Sequence, residues 1–304
     1  MGIVLGPQQY GKAETRVVRI SRDDDWHQIR DLNVTTALRG DFSQAHLTGD
    51  QSEVLPTDSQ KNTAFAYALE HGTGEIEDYA LALARHFASD IEPVTAARVE
   101  VEEYAWDRIS VGGDPHPHAF VRSGQEVRTA AVSVEGSGAG QRAWVVSGLT
   151  GLVILKSTGS EFRGFLTDSY TTLPETGDRV LATSLTARWR YAGPVEPETD
   201  WLAAYDQVRR VLLARFAELH SLALQQSLWE MGQAVLLARP DIAEIRLSAP
   251  NKHHYLVDLA PFGLANNNEV FHAGDRPYGL IQAAAARDDG PPAGPAWDTS
   301  ACFA

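Results

Sequence analysis

A chain of 304 residues, 43% apolar and 22% charged, has the composition of an ordinary globular protein, and at about 150 residues per domain it has room for two units of similar size. The formal charge of −14 argues against a nucleic-acid surface, which needs clustered Lys and Arg to neutralise phosphates, and the apolar runs fall short of the roughly 20 residues that cross a bilayer. The single cysteine, Cys302, gives neither a disulfide frame nor a thiolate cage for a metal. The opening Met1-Gly2-Ile3-Val4-Leu5-Gly6-Pro7 lacks the basic and long apolar stretches of a secretory signal, so a cytoplasmic location is expected.

In chain order, Thr15 to Ser21 reads as a strand, preceded by Tyr10-Gly11-Lys12, and Ile29 to Leu38 alternates as a second. A loop is expected around Thr57-Asp58-Ser59-Gln60-Lys61-Asn62-Thr63, since Asp and Ser bond their own backbone in turns. Ile76, Tyr79, Ala80, Leu83, Ala84 and Phe87 make the apolar stripe of a helix. Val94 to Trp106 and Ala119 to Val134 then alternate Val with Glu and Arg, as half-solvated antiparallel strands do.

The second half repeats the order. Trp144 to Lys156 and Arg179 to Tyr191 read as strands; Trp201, Tyr205, Val208, Leu212 and Phe216 mark one helix, and Leu224, Leu228, Met231 and Val235 another, ending near Pro240. Ile242 to Leu247 and His253 to Leu259 close the pattern as strands. Strand pair, helices, strand pair, twice over, indicates an α+β fold built as a tandem duplication, antiparallel sheets with helices on one face. The boundary is expected in Gly136-Ser137-Gly138-Ala139-Gly140, giving units 1–138 and 139–286 and a Gly/Pro-rich tail, 287–304.

The polar clusters are ambiguous when taken singly. Lys12 alone reads as a solvated lysine. His116 and His118 form an H-x-H pair, yet Pro115 and Pro117 favour a rigid loop. Pro250-Asn251-Lys252-His253-His254 places an amide, an ammonium and two imidazoles at a strand's mouth. Adjacent histidines point to opposite faces of a strand, so His253 and His254 do not chelate one ion together.

Together the clusters fall into one order: Tyr10-Gly11-Lys12, Thr57-Asp58-Ser59-x-Lys61-Asn62-Thr63, Pro115-His116-Pro117-His118-x-Phe120, Leu155-Lys156-Ser157-Thr158-x-Ser160-x-Phe162-x-Gly164-Phe165, Asp178-Arg179, and Pro250-Asn251-Lys252-His253. In these motifs the chain resembles the bacterial urate oxidases (uricases), from about residue 8 to about residue 285.

The resemblance implies two tandem tunnelling-fold (T-fold) units that close into a barrel on oligomerisation. The implied reaction is oxidation of urate by O₂ and water to 5-hydroxyisourate and hydrogen peroxide, with no cofactor and no metal. Lys12, Thr57 and His253 would be the catalytic proton relay. Thr57, Asp58, Phe162, Arg179, Leu224, Gln225 and Asn251 would bind substrate: Arg179 through its fork of donors, Phe162 by stacking, Leu224 through its backbone N–H, Gln225 through its amide. Asn251 and Thr57 would hold dioxygen or water. Lys252 and His254 are assigned structural or solvent-facing positions, and either Gln225 or Gln226 fits the role of the substrate amide. The partners implied are urate, O₂ and three further copies of the chain, a homotetramer with sites at subunit interfaces. Two rival readings are another T-fold pterin or purine enzyme, which would need a zinc site, and a non-catalytic purine-binding protein.

Overall fold

The computed structural model describes residues 2–193 and 199–299; Cys302 and the last residues lie outside them. The chain forms two compact units, the first from the described parts of Met1–Gly148, Arg190–Leu202 and Pro291–Ala304, the second from Leu149–Trp189 and Ala203–Gly290.

In the first unit, β1 (Thr15–Ser21), β2 (Gln28–Gly40), β3 (Val94–Glu103), β6 (Val127–Glu135) and the start of β7 (Arg142–Lys156) follow one another across an antiparallel sheet. Inward Val and Leu, among them Val17, Leu32, Val34, Val99, Val101 and Val132, are at most 2% exposed, as the period of two requires of a half-covered sheet. Three helices lie between β2 and β3: α1 (Ser43–Leu47), α2 (Thr57–Glu70) and α3 (Ile76–Asp90). The expected stripe of α3 is the buried one: Ile76, Ala80, Leu83, Ala84 and Phe87 are fully covered by β3 and β6. A hairpin, β4 (Trp106–Val111) and β5 (Asp114–Arg122), stands beside this sheet as a separate ribbon.

In the second unit the order is the rest of β7, then β8 (Leu181–Tyr191), β9 (Ile242–Leu256) and β10 (Phe271–Ala286). The helices are α4 (Trp201–Glu218), which begins in the first unit, and α5 (Leu224–Ala238). Leu228, Met231 and Val235 of α5 are at most 1% exposed, and the helix packs on β9 and β10. The α+β class and the twice-repeated order of strands, helices and strands are as the sequence predicts.

Several local expectations are corrected. Thr57 to Thr63 is not a loop but the first two turns of α2, opened by Pro56 with Thr57 as its first residue. Residues 119–134 are not one strand: β5 and β6 are separated at Gly124, whose φ of +58° suits glycine. The rigid loop expected at Asp114 to His118 is the start of β5. Strands 242–247 and 253–259 are a single β9, with Pro250 inside it. β10 is an element without a strand signal of its own, because Gly274, Pro277, Gly279 and its run of alanines carry little strand propensity.

Candidate active site

Each unit carries part of the predicted constellation. In the first, the backbone of Tyr10-Gly11-Lys12 runs along β2. Leu38 N–H donates to Tyr10 O at 2.7 Å and Thr36 N–H donates to Lys12 O at 2.9 Å, while Lys12 N–H donates to Thr36 Oγ1 at 3.2 Å. Gly11 is what permits the approach, because a Cβ there would sit 1.7 Å from Thr36 O. The chain is thereby pressed onto the sheet just before Lys12, whose side chain is half-buried.

Thr57 and Asp58 occupy the first turn of α2, where unpaired N–H groups and the positive end of the helix dipole favour negative charge. Asp58 pairs with Lys61 and accepts from Asn62 Nδ2 at 3.2 Å. Its carboxyl is held below the usual range, chiefly by Lys61 and further by the Lys12 ammonium. Lys12 and the start of α2 are therefore neighbours, and the Asp58 side chain is engaged locally.

In the second unit, the segment after β7 is folded back by Asp178, whose carboxylate accepts from Thr158 Oγ1 at 2.7 Å and Gly159 N–H at 3.0 Å. Arg179 N–H then donates to Ser160 O at 2.8 Å, and Phe162 bridges to Thr176 through paired backbone bonds of 2.9 and 3.0 Å. These contacts set the Arg179 guanidinium carbon 5.3 Å from the Phe162 ring centroid, and Phe162 is itself stacked on Phe165 at 4.9 Å. Arg179 Nε is buried without a hydrogen-bond partner, and desolvation lowers the guanidinium's pKa. A desolvated donor with no acceptor is a costly arrangement unless an anion completes it.

Asn251, Lys252, His253 and His254 lie within β9 rather than at its mouth. Opposite them β10 bulges: His253 pairs with Gly274 and Asn251 with Gly279, so Asp275 to Tyr278 stand against Lys252 alone. Bulges of this kind re-aim side chains and are frequent at functional sites. His253 lies 5.7 Å from Tyr255, and its pKa is lowered by burial first and by the charge of Arg179 second. The unit thus brings Phe162, Arg179 and His253 together. His254 turns to the backbone, with Nδ1 3.1 Å from Lys252 O.

At α5, Gln226 Oε1 accepts from Leu222 N–H at 2.9 Å and so ties the residue before the N-cap Ala223 to the first turn. Gln225 is exposed. The first intrahelical bond runs from Ser227 N–H to Ala223 O at 3.1 Å, leaving the N–H groups of Leu224 and Gln225 ahead of the ladder. Lys156, prominent in its motif, has a structural job: its ammonium caps the C-terminal end of α4 at Leu219 O and Phe216 O. His116 and His118 have ring centroids 4.5 Å apart in β5, and among the described residues no group of three or more His, Cys, Asp or Glu is placed to hold a metal.

Two sets of supporting residues escaped sequence reasoning. Thr36 and Gln60 hold the Lys12 backbone. Glu161, 8% exposed, takes His220 Nε2 at 2.9 Å and donates its own N–H to Ser221 O at 2.8 Å, joining the Phe162 segment to the approach to α5. Their signal in the sequence is faint, since each acts on a residue distant in the chain.

Antiparallel strands with the helices of each repeat placed between its strand pairs define the class of two-unit α+β proteins of the tunnelling fold. Comparison narrows the class. A family model described as "Uricase" matches residues 8–133 and 145–282. A curated uricase of Arthrobacter globiformis is 51% identical over 301 residues, covering 99% of this chain and 96% of that protein. The uricase of Aspergillus flavus is 35% identical over 294 residues, covering 92% and 95%. Among solved structures, a crystal structure of uricase from Arthrobacter globiformis superposes with a TM-score of 0.90 at 50% identity, covering 98% and 99% of the two chains. A uricase from Bacillus fastidious gives 0.81 at 26%, covering 93% and 94%. The chain belongs to the uricase family.

Proposed function

We propose that this chain is a urate oxidase of purine degradation, converting urate, O₂ and water to 5-hydroxyisourate and hydrogen peroxide, with urate itself as the reductant. The observation that carries the reading is Arg179: a planar cation, partly desolvated, with an unpartnered Nε, set over Phe162 and next to an imidazole biased to its neutral form. A flat purine anion supplies both the missing acceptor and the ring.

Arg179 forks onto the carbonyl and ring-nitrogen edge of urate, and Phe162 stacks on its face. Gln225, not Gln226, takes the opposite edge, because Gln225 is exposed at the start of α5 while the Gln226 amide oxygen is turned to Leu222 N–H. The Leu224 N–H sits beside it, ahead of the helix ladder. Thr57 and the Asp58 backbone complete the binding. Lys12, Thr57 and His253 relay protons: deprotonated urate is electron-rich enough to reduce O₂, and the protons it loses reach the peroxide. Asn251 and Thr57 hold dioxygen and then the attacking water over the ring.

The residues come from two units, and the reading takes them to meet between subunits of a homotetramer. The outermost strands, β1 and β10, carry exposed apolar side chains such as Val18 (56%) and Leu280 (55%), which barrel closure between protomers would cover. No helix among the described residues is long and apolar enough to cross a membrane, and a single cysteine suits a cytoplasmic enzyme.

The test is direct. With urate in air, the ultraviolet absorbance of urate should fall while peroxide appears in equal amount and O₂ is consumed. Inertness towards urate, or its loss without peroxide, overturns the proposal.

A further inference from the structure

We propose that Thr36 and Gln60 form a positioning pair that fixes Lys12 against the helix bearing Thr57, and so sets the geometry of the proton relay; the inference rests on the relay reading of Lys12 given above. Thr36 grips both sides of the Lys12 peptide, its N–H donating to Lys12 O at 2.9 Å and its Oγ1 accepting from Lys12 N–H at 3.2 Å. The Thr36 hydroxyl has one proton, and that proton goes to Gln60 Oε1 at 2.7 Å. Spending it there leaves a lone pair aimed at Lys12 N–H, so Gln60 decides which way the hydroxyl faces.

Gln60 sits one turn beyond Thr57 in α2, and its own N–H donates to Pro56 O at 3.2 Å. The path from Lys12 through Thr36 and Gln60 therefore ends on the turn that begins with Thr57. Thr36 is 4% exposed and Gln60 fully buried, where polar links are strong and hold their partners narrowly. Gly11 closes the arrangement from the other side, since any side chain there would strike Thr36 O.

Stability alone does not account for Gln60. Its Nε2 is buried with no hydrogen-bond partner, so the amide gains one bond and leaves one donor unmet, an exchange that apolar side chains at both 36 and 60 would nearly match. A glutamine kept under these terms is explained by what its Oε1 does to Thr36. Neither residue touches substrate in this account; both act through Lys12.

The experiment compares Gln60→Met, Thr36→Val, Thr36→Ser and Lys12→Met with the unaltered oligomer, measuring kcat, KM for urate, the pH profile of kcat and the melting temperature. Displacing a catalytic group by a fraction of an ångström to 1 Å costs on the order of ten- to a hundredfold. Gln60→Met and Thr36→Val should lower kcat by about that much, leave KM within about twofold and shift the pH profile, while Thr36→Ser, which keeps the hydroxyl, should recover most of the rate. A merely structural role would instead show as a lowered melting temperature with an unshifted pH profile. If Gln60→Met and Thr36→Val turn over like the parent while Lys12→Met is slow, the positioning pair is wrong and the relay stands. If Lys12→Met itself turns over normally, the relay assignment fails and takes the inference with it.

Discussion

The guanidinium carbon of Arg179 lies 5.3 Å from the centre of the Phe162 ring, although the two residues are held by different strands of the loop that follows β7. Asp178 makes this possible by pinning Thr158 and Gly159, so the neighbour of the arginine in sequence is the brace that aims it.

Arg179→Ala is expected to remove a charge-assisted contact made to bound urate and to the transition state alike. Such bonds contribute about 1.5–3 kcal/mol, so KM should rise roughly ten- to a hundredfold with a smaller change in kcat. Titration with a purine analogue that cannot be oxidised checks the binding directly. An unchanged affinity would remove Arg179 from the site.

Lys12→Met keeps most of the side chain's length and deletes its ammonium group. General acid–base steps contribute on the order of 10²–10⁴ in rate, and kcat should fall within that range while KM changes little. Stopped-flow measurement of substrate loss separates this from slow product release. A variant that loses affinity and keeps its maximal rate would reassign Lys12 to binding.

His253 sets an acid limit. Burial, and then the charge of Arg179, lower its pKa from 6.5. The neutral imidazole therefore survives below pH 6.5, and kcat should hold there before falling as the ring finally protonates. Replacing Arg179 by Ala removes the second cause and leaves the first, so the acid limb should move up towards 6.5 without reaching it. Because the unfolded chain protonates this histidine more readily, the group also costs stability as pH falls below 6.5. An NMR titration of His253 at or above its ordinary value would contradict the account.

Arg128→Ala probes the first unit's buried ion pair. Arg128 Nη2 meets Glu77 Oε2 at 2.7 Å, and Ser147 Oγ donates to Glu77 Oε1 at 2.6 Å, with Glu77 fully buried. Desolvation already raises the Glu77 carboxyl above its usual range, against the pull of Arg128. Removing the arginine strands the carboxylate and should cost about 3–5 kcal/mol in urea unfolding. A carboxyl with a raised pKa in the folded chain protonates first in that state, so the penalty should shrink as pH falls towards 4.5. Adding Glu77→Gln to the variant should restore part of the loss; no restoration would mean that the pair is not coupled.

What the sequence disclosed and what it hid have physical reasons. The stripe of α3 was readable because one face of that helix supplies a core, whereas α2 buries only Ala64, Ala68 and Gln60 and so shows no stripe. Its first turn consequently looked like a loop, although the same residues are well chosen to open a helix after Pro56. The motif residues were legible as chemistry, but their supports were not. Thr36 and Gln60 are 24 positions apart, Glu161 and His220 are 59 apart, and pairing at such distances depends on strand register and helix docking. Gln225 and Gln226 are equally alike in the sequence, and it takes three dimensions to see that the Gln226 amide oxygen is turned to Leu222 N–H while Gln225 is exposed.

The division of the constellation between two units leads to the most discriminating prediction. Lys12, Thr57 and Asp58 belong to the first unit; Phe162, Arg179, Gln225, Asn251 and His253 belong to the second. If each site draws its first-unit residues from one protomer and its second-unit residues from the next, Lys12→Met and Arg179→Ala spoil different halves. Assayed at urate no higher than the parent's KM, each variant is then weak by itself, Lys12→Met because turnover is slow and Arg179→Ala because it is far from saturated. In a mixed pair, one site receives both defects and the other receives neither. Random assembly of a twofold-symmetric pair makes about half the pairs mixed, so about a quarter of all sites should be native. Co-refolding equal amounts of the two variants should therefore return roughly a quarter of the parent's activity, with native KM, while either variant refolded alone returns far less. Sites assembled within one chain would give no recovery at any mixing ratio, and that result would return every residue of the relay to a single protomer.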